Sequence, residues 1–490
     1  MIEACSADGA SWAALESCAA PAVCAGGGCG DCAPGTTVCV EAGLRAVCDE
    51  TGSLSEPAQC PAWAPSCVGT ECVPALAVAT GGAHACVRRA GADVVCWGEN
   101  SAGQLGTGDG ARRRSAASDP PLEAPPLGSP VRDVAAGGAH TCVLLEGGFL
   151  KCWGENDSGQ LGLGDTERRG DEPGEIAALP AVDLGSDRVA SAVTAGSRHT
   201  CALLEGGTIK CWGANESGQL GLGDTENRGD DSLELGENLR TALLTPDVPA
   251  IALDAGAAHT CAVLSNGRVT CWGANAVGQL GTGDTESHGA NALGPGASLP
   301  HVLIDPARRA TAVGAGGDHS CALLDDGSVV CWGYNRAGQL GVGDSANRSG
   351  RAENGEMDLA AVDFGASRSA LGIAVGASHS CALLSDRAVK CWGINGRGTL
   401  GLGSTEMGRG DDPAELGDAL PVVDLGSRDG VPWPAAALDA GIEFGCAVLD
   451  GAVVKCWGLN ASGQLGLGDS ETRGDGPDEL GDRLPAVALD

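Results

Sequence analysis

The motif Cys-Trp-Gly-x-Asn returns seven times, beginning at Cys96, Cys152, Cys211, Cys271, Cys331, Cys391 and Cys456. Successive copies are 56 to 65 residues apart. Self-similarity at such a period means one supersecondary unit copied along the chain, each copy carrying an apolar face that only its neighbours can bury. Each copy opens on a His (84, 140, 199, 259, 319 and 379), with Phe444 in its place in the seventh.

Within a copy the pattern is that of short strands. In the third, Arg188–Ala195 reads as one strand, and Ala202-Leu203-Leu204 leads through a Gly-bearing loop into Thr208–Trp212, a short hairpin. Pro180–Leu184 reads as a fourth strand, and no 3.6-residue stripe of useful length intervenes. Four short strands, seven times over, predict an all-β, seven-bladed β-propeller, in which the blades stack into a closed ring and leave no open edge. The Trp of each motif (97, 153, 212, 272, 332, 392 and 457) is expected to fill the space between blades. The Asn three residues after it is expected in a turn, bonded to nearby backbone.

The consensus HxCALLxxGxVxCWGxNxxGQLGxGD resembles the repeat of the regulator-of-chromosome-condensation family, from residue 75 to the last residue shown. The resemblance implies a seven-bladed propeller over 75–490. The chain departs from that family at the two Cys positions, where an apolar and a small hydroxylated residue are more usual, and is more similar to a secreted bacterial branch than to the nuclear one. The nuclear relatives' guanine-nucleotide exchange is not carried over, because an acidic chain with paired cysteines has the wrong charge and compartment for it.

Each copy holds two cysteines ten positions apart: Cys86 and Cys96, Cys142 and Cys152, Cys201 and Cys211, Cys261 and Cys271, Cys321 and Cys331, Cys381 and Cys391, Cys446 and Cys456. If Cys201 faces Cys211, the hairpin loop is Glu205-Gly206-Gly207, with Gly in the last, left-handed position that a three-residue loop wants. Directly opposed residues in a non-hydrogen-bonded antiparallel pair have Cα atoms about 4.5 Å apart, within disulfide range. Seven intra-blade disulfides are therefore expected, in preference to free thiols or a metal site. Ala92, Arg387 and Ala452 occupy the left-handed position in copies one, six and seven, so those turns are expected to differ.

Residues 1–74 hold ten further cysteines and few core-forming residues. Two stretches, from Ala4 and from Val47, align with each other; the first lacks its opening, so an earlier segment is expected to precede it. A small cysteine-dense module without a core is held by disulfides, here five, and serves as a stalk. No charged-then-apolar leader opens the chain.

Twenty-four cysteines place the protein in an oxidising, extracytoplasmic setting, secreted or at a cell surface. The 64 acidic against 30 basic residues give a net charge of −34, which opposes binding to nucleic acid or to anionic membranes. No apolar run reaches the length of a membrane span. No HExxH, GxSxG, GxxxxGK or EF-hand motif occurs, so no catalytic residue, cofactor or resident metal is assigned and the chain is expected not to be an enzyme. What varies between copies is the acidic loop after GQLGxGD. Its carboxylates are the candidate binding-face residues: Asp165, Glu167, Asp171, Asp224, Glu226, Asp230, Asp411, Asp412, Asp469, Glu471 and Asp475. They suit a basic partner, and carboxylates and carbonyls are also the donor set for Ca²⁺. The reading is an extracytoplasmic scaffold that recognises a protein or glycan through loops on one face. The alternatives are a structural surface or matrix protein that self-associates through acidic, Ca²⁺-binding rims, and an inhibitor of a secreted enzyme. The Arg-Gly-Asp at Arg169, Arg228, Arg409 and Arg473 belongs to the repeated loop, so an adhesion role is not assigned.

Overall fold

A computed structural model describes residues 76–490, apart from 90, 115–123, 292–297, 351–358, 407, 451 and 490, together with the backbone of short strand segments before residue 74. The chain divides into two compact units, Met1–Leu76 and Ala77–Asp490. The side chains of the ten N-terminal cysteines, and with them the five bonds expected there, lie outside the described residues.

The described residues of the second unit hold seven repeated antiparallel sheets in chain order, spanning 77–98, 131–154, 190–213, 250–273, 310–333, 370–394 and 435–458, and a small ladder pairing Ser427–Arg428 with Val431–Pro432. The repeated sheets are called sheets 1 to 7 below. Sheet 3 is typical, with inner strand β1 (Ala190–Ala195), middle strand β2 (His199–Leu204) and outer strand β3 (Ile209–Gly213). The expected fourth strand is not a strand. Val182 of Pro180–Leu184 makes one backbone bond, to Leu150 of sheet 2, and the corresponding segments elsewhere form single bridges, such as Thr241 with Lys210. Gly185, at φ 98°, ends this extended stretch before it can run along the outer strand. Among the described residues only sheet 6 gains a fourth strand, the two residues Gly408–Arg409.

Cys201 stands opposite Cys211 in the β2–β3 register. The same register recurs in every sheet, with paired Cα atoms 4.0–4.1 Å apart and the sulfurs at bonding distance. The turns expected to differ do not. Ala92, Arg387 and Ala452 take φ of 59°, 65° and 63°, the left-handed conformation held by Gly207 at 80°. The hairpin bond of Gly207 N to Leu204 O recurs from Ala92 N to Arg89 O and from Arg387 N to Leu384 O. The register overrides the roughly 1–2 kcal/mol that a left-handed residue with a Cβ costs.

The core lies between sheets. Cys201, Leu203 and Cys211 of sheet 3 pack on Ala262, Leu264 and Trp272 of sheet 4. Each motif Trp is buried, and its indole N–H donates to a backbone carbonyl of the preceding sheet's loop, as Trp272 does to Gln219 O at 2.9 Å. The rule also closes the ring, since Trp97 of sheet 1 donates to Gln464 O after sheet 7. The final segment stays with sheet 7, through Val487 N to Val454 O.

Candidate functional site

Two regions bear on function: the repeated loops and the ring's axis. The loops are built by the Asn of each motif. Buried Asn215 accepts from Leu220 N through Oδ1 and donates through Nδ2 to Asp224 O and Glu226 O, gathering the loop around itself. Asn156 and Asn460 do the same in sheets 2 and 7.

This construction sorts the candidate carboxylates. Asp165, Asp224 and Asp469 each pair with an Arg four residues on, at 2.7 Å to Arg169, 2.8 Å to Arg228 and 2.6 Å to Arg473. Asp224 also pairs with Arg240. These three are neutralised within their own loops. Glu167, Glu226 and Glu471 give their backbone carbonyls to the Asn and leave exposed carboxylates. Asp411 is exposed, and Asp412 caps the turn Pro413–Glu415 by accepting from Ala414 N. Asp171 is half-buried, its backbone against Gly103 of the preceding sheet's loop. Asp230 and Asp475 each stand beside a glutamate four residues on. Burial and the Asp230 contact push Glu234 up; burial and the Glu479 contact push Asp475 up. In each Arg-Gly-Asp the Arg is turned back onto a loop carboxylate and the Gly is buried, so the tripeptide is not displayed.

Around the axis, the six repeat histidines are buried. Each of the first five bonds through Nε2 to a hydroxyl of the next sheet at 2.9 Å: His84 to Thr141, His140 to Thr200, His199 to Thr260, His259 to Ser320, and His319 to Ser380. The hydroxyl in turn donates to a loop carbonyl, as Thr200 does to Gln160 O. That leaves it as the acceptor of the His bond and places the ring proton on Nε2. Burial lowers these histidines to about 3 or 4. Sheet 7 offers Gly445 where a hydroxyl would stand, and both His379 nitrogens lack a partner. Phe444 precedes Ala85 of sheet 1, which has no hydroxyl, so an imidazole there would have no acceptor. Among the described residues no three His, Cys, Asp or Glu converge as metal ligands.

Sequence reasoning missed the hydroxyls, although the residues after the histidines are Thr141, Thr200, Thr260, Ser320 and Ser380. It also missed the inner-strand acids Asp254 and Asp439, and the use made of lysine. The chain's four lysines share one repeat position. Lys210 and Lys390 are buried and donate to carbonyls of two different connections, Leu184 O and Gly236 O, and Phe364 O and Gly417 O. Burial lowers both.

Comparison with known proteins accounts for this geometry. Two models described as the regulator of chromosome condensation (RCC1) repeat match, one at 76–104, 131–160, 190–219, 250–279, 310–339 and 372–399, the other at 93–144, 149–203 and 266–323. Together they cover more than half of the chain. The chain belongs to the RCC1 repeat family. It is 30% identical over 321 residues to the ultraviolet-B receptor UVR8 of Arabidopsis thaliana, covering 65% of this chain and 64% of the receptor. It is 29% identical over 333 residues to the human probable E3 ubiquitin-protein ligase HERC6, covering 68% of this chain and 29% of the ligase. The chain thus spans less than two thirds of these relatives' length. Among solved structures, yeast RCC1 (Prp20) bound to Kap60 superposes with a TM-score of 0.58 at 20% identity, over 83% of each chain. Human WBSCR16 gives 0.61 at 20% identity, over 80% of this chain and 93% of that one. These show the fold. No helix among the described residues is long and apolar enough to cross a membrane.

The ligases correct one expectation. The repeats of this chain match segments of HERC6, HERC5 and HERC4, which are E3 ligases, so the lack of a familiar catalytic motif does not place the chain outside enzymes. The matches cover 29%, 19% and 31% of those proteins.

Proposed function

We propose that the chain is an extracytoplasmic binding protein of the secreted bacterial branch: a seven-bladed propeller (75–490), each blade closed by an oxidised Cys pair, carried on a cysteine-rich stalk (1–74). In this reading it recognises a protein or glycan through its repeated loops. One observation carries it. From sheet to sheet the scaffold repeats down to single hydrogen bonds, Trp to carbonyl and Asn to loop, while the carboxylates left over vary from loop to loop and face solvent. A rigid frame with variable exposed loops is the usual architecture of recognition. A basic surface on the partner complements the charge of −34. RCC1-family relatives with protein partners, such as the yeast protein solved with Kap60, are consistent with it.

The test is capture from culture supernatant and cell envelope by the full chain and by a loop-neutral variant (Glu167→Gln, Glu226→Gln, Asp411→Asn, Asp412→Asn, Glu471→Gln). The reading expects a partner retained by the first and lost by the second at equal thermal stability. Retention by both, or self-association in scattering with no partner, contradicts it.

A further inference from the structure

The axis of the ring is hollow. Its mouth is a cavity of about 190 Å³ lined by the turns between inner and middle strands, Gly81-Gly82, Gly137-Gly138, Gly196-Ser197 and their counterparts, with Ile442 exposed at the rim. The first residue of each turn is Gly, because neighbouring turns bond to each other, as Gly138 N does to Gly196 O; a Cβ on Gly137 would come within 2.5 Å of that carbonyl. Below the mouth lies a second cavity of about 290 Å³. One residue from each sheet lines both, Thr80 and Val375 among them, so the two are consecutive sections of one channel.

The lower section is walled by Asp254 of sheet 4 and Asp439 of sheet 7. Asp254 accepts from Thr194 Oγ1 at 2.9 Å and Ala315 N at 2.8 Å; Asp439 accepts from Thr80 N at 2.7 Å and Thr80 Oγ1 at 3.0 Å. A carboxylate has about four acceptor sites, so each retains capacity. Among the described residues neither is paired with an Arg or Lys of this chain. Two carboxylates therefore face a polar chamber without a counter-cation. The way in is narrow, uncharged and lined by small residues. Asp439 sits two residues below Gly441 of the mouth, a depth of roughly 7 Å at the rise of an extended strand. A four-carbon lysine stem or an arginine side chain spans that depth with its cation at the end.

We propose that the axial channel receives the cationic side chain of a lysine or arginine presented by a basic segment of a partner protein, its stem in the mouth and its charged end between Asp254 and Asp439. The inference rests on the binding role above and adds to it the partner's chemistry and the point of entry. Complementarity selects this occupant: an apolar side chain would strand the carboxylates, and an acidic one would be repelled.

The probes are cadaverine and L-arginine amide, titrated calorimetrically into the full oxidised chain at physiological ionic strength. Saturable binding is expected. It should weaken at least tenfold in Asp254→Asn/Asp439→Asn and be unchanged in a rim variant outside the acidic loops, Glu205→Gln, on an exposed hairpin turn. Ile442→Lys sets a cation at the mouth without touching either aspartate, and should weaken binding similarly; it carries the test if the double variant does not fold. Equal binding in wild type and channel variants, loss in the rim variant, or no saturable binding each overturns the inference. A chain that captures its partner through the rim but binds no amine overturns this inference alone. Amine binding without any partner captured overturns only the broader reading.

Discussion

Acidification is the most telling perturbation, because the axial histidines make stability depend on pH with a sign and size set by the structure. Their imidazoles have an ordinary value of 6.5 and are held at about 3 or 4 in the ring. The geometry explains this independently: an added proton would sit on a buried Nδ1 with no acceptor. Between pH 6.5 and about 4 the unfolded chain binds protons that the native ring refuses, so stability falls as pH falls. At pH 5 the solution lies about 1.5 units below the unfolded value of each histidine and still above its folded one, worth ~2 kcal/mol at 1.36 kcal/mol per unit. Six give ~12 kcal/mol as an upper bound, comparable with the ~5–15 kcal/mol stability of a typical domain. Asp133 and Asp254 oppose this. Enclosure raises them from 3.8 to about 6, so they take up protons in the native state first and return ~1.4 kcal/mol each between pH 6 and 5. Histidine wins by a factor of about four. Guanidinium unfolding from pH 7.5 to 5 should show the midpoint falling below pH 6, with a net uptake of about four protons on unfolding at pH 5, nearly six gained by the histidines and about two released by Asp133 and Asp254. An unchanged midpoint, or imidazole resonances of the folded protein titrating near 6.5, would refute the reasoning.

Four further outcomes follow from the same contacts. Trp272→Phe removes the indole N–H that bonds Gln219 O, leaving that carbonyl only its bond from Thr260 Oγ1, and should cost ~1 kcal/mol in chemical denaturation. His379→Phe, which places in sheet 6 what sheet 7 already holds, should be neutral or stabilising, whereas His199→Phe should cost ~1 kcal/mol by removing the donor to Thr260 Oγ1, which keeps only its bond to Gln219 O; equal effects would contradict the hydroxyl pairing. Lys390→Met removes the donor to Phe364 O, leaves Gly417 O only its bond from Leu420 N, and should lower the melting temperature, where an exposed-lysine role would leave it unchanged. Arg387→Gly relieves a left-handed turn and should raise stability by up to ~1 kcal/mol; a loss would show that its side chain matters more than its backbone.

The repeat, the β class and the inner and middle strands were legible because their signals are local: alternation, a Gly-bearing hairpin and two cysteines ten residues apart. Contacts between successive sheets were not. In every sheet but the sixth, whether it carries His or Phe matches the residue after the corresponding position in the next copy, so the signal appears only when copies are aligned one repeat out of step. Phe444 looks like noise until Ala85 is placed beside it. The fourth strand misled because Ala181-Val182-Asp183-Leu184 has strand composition, but Val182 and Leu184 point into the gap between sheets 2 and 3 instead of extending either. The acidic loops could be located, though not sorted, since composition does not show that Arg169, Arg228 and Arg473 silence one carboxylate in each. Asp254 and Asp439 carry no local signal, because only ring closure brings them to one axis.

Peptide mapping of the intact, alkylated protein without reductant bears most directly on the account, in which an oxidised cross-strand pair closes every sheet. Cys201 should be recovered joined to Cys211, with the same ten-residue partner found for each of the other twelve ring cysteines. Alkylated ring thiols, or links joining different sheets, would contradict both the stitched ring and the oxidising compartment proposed for it.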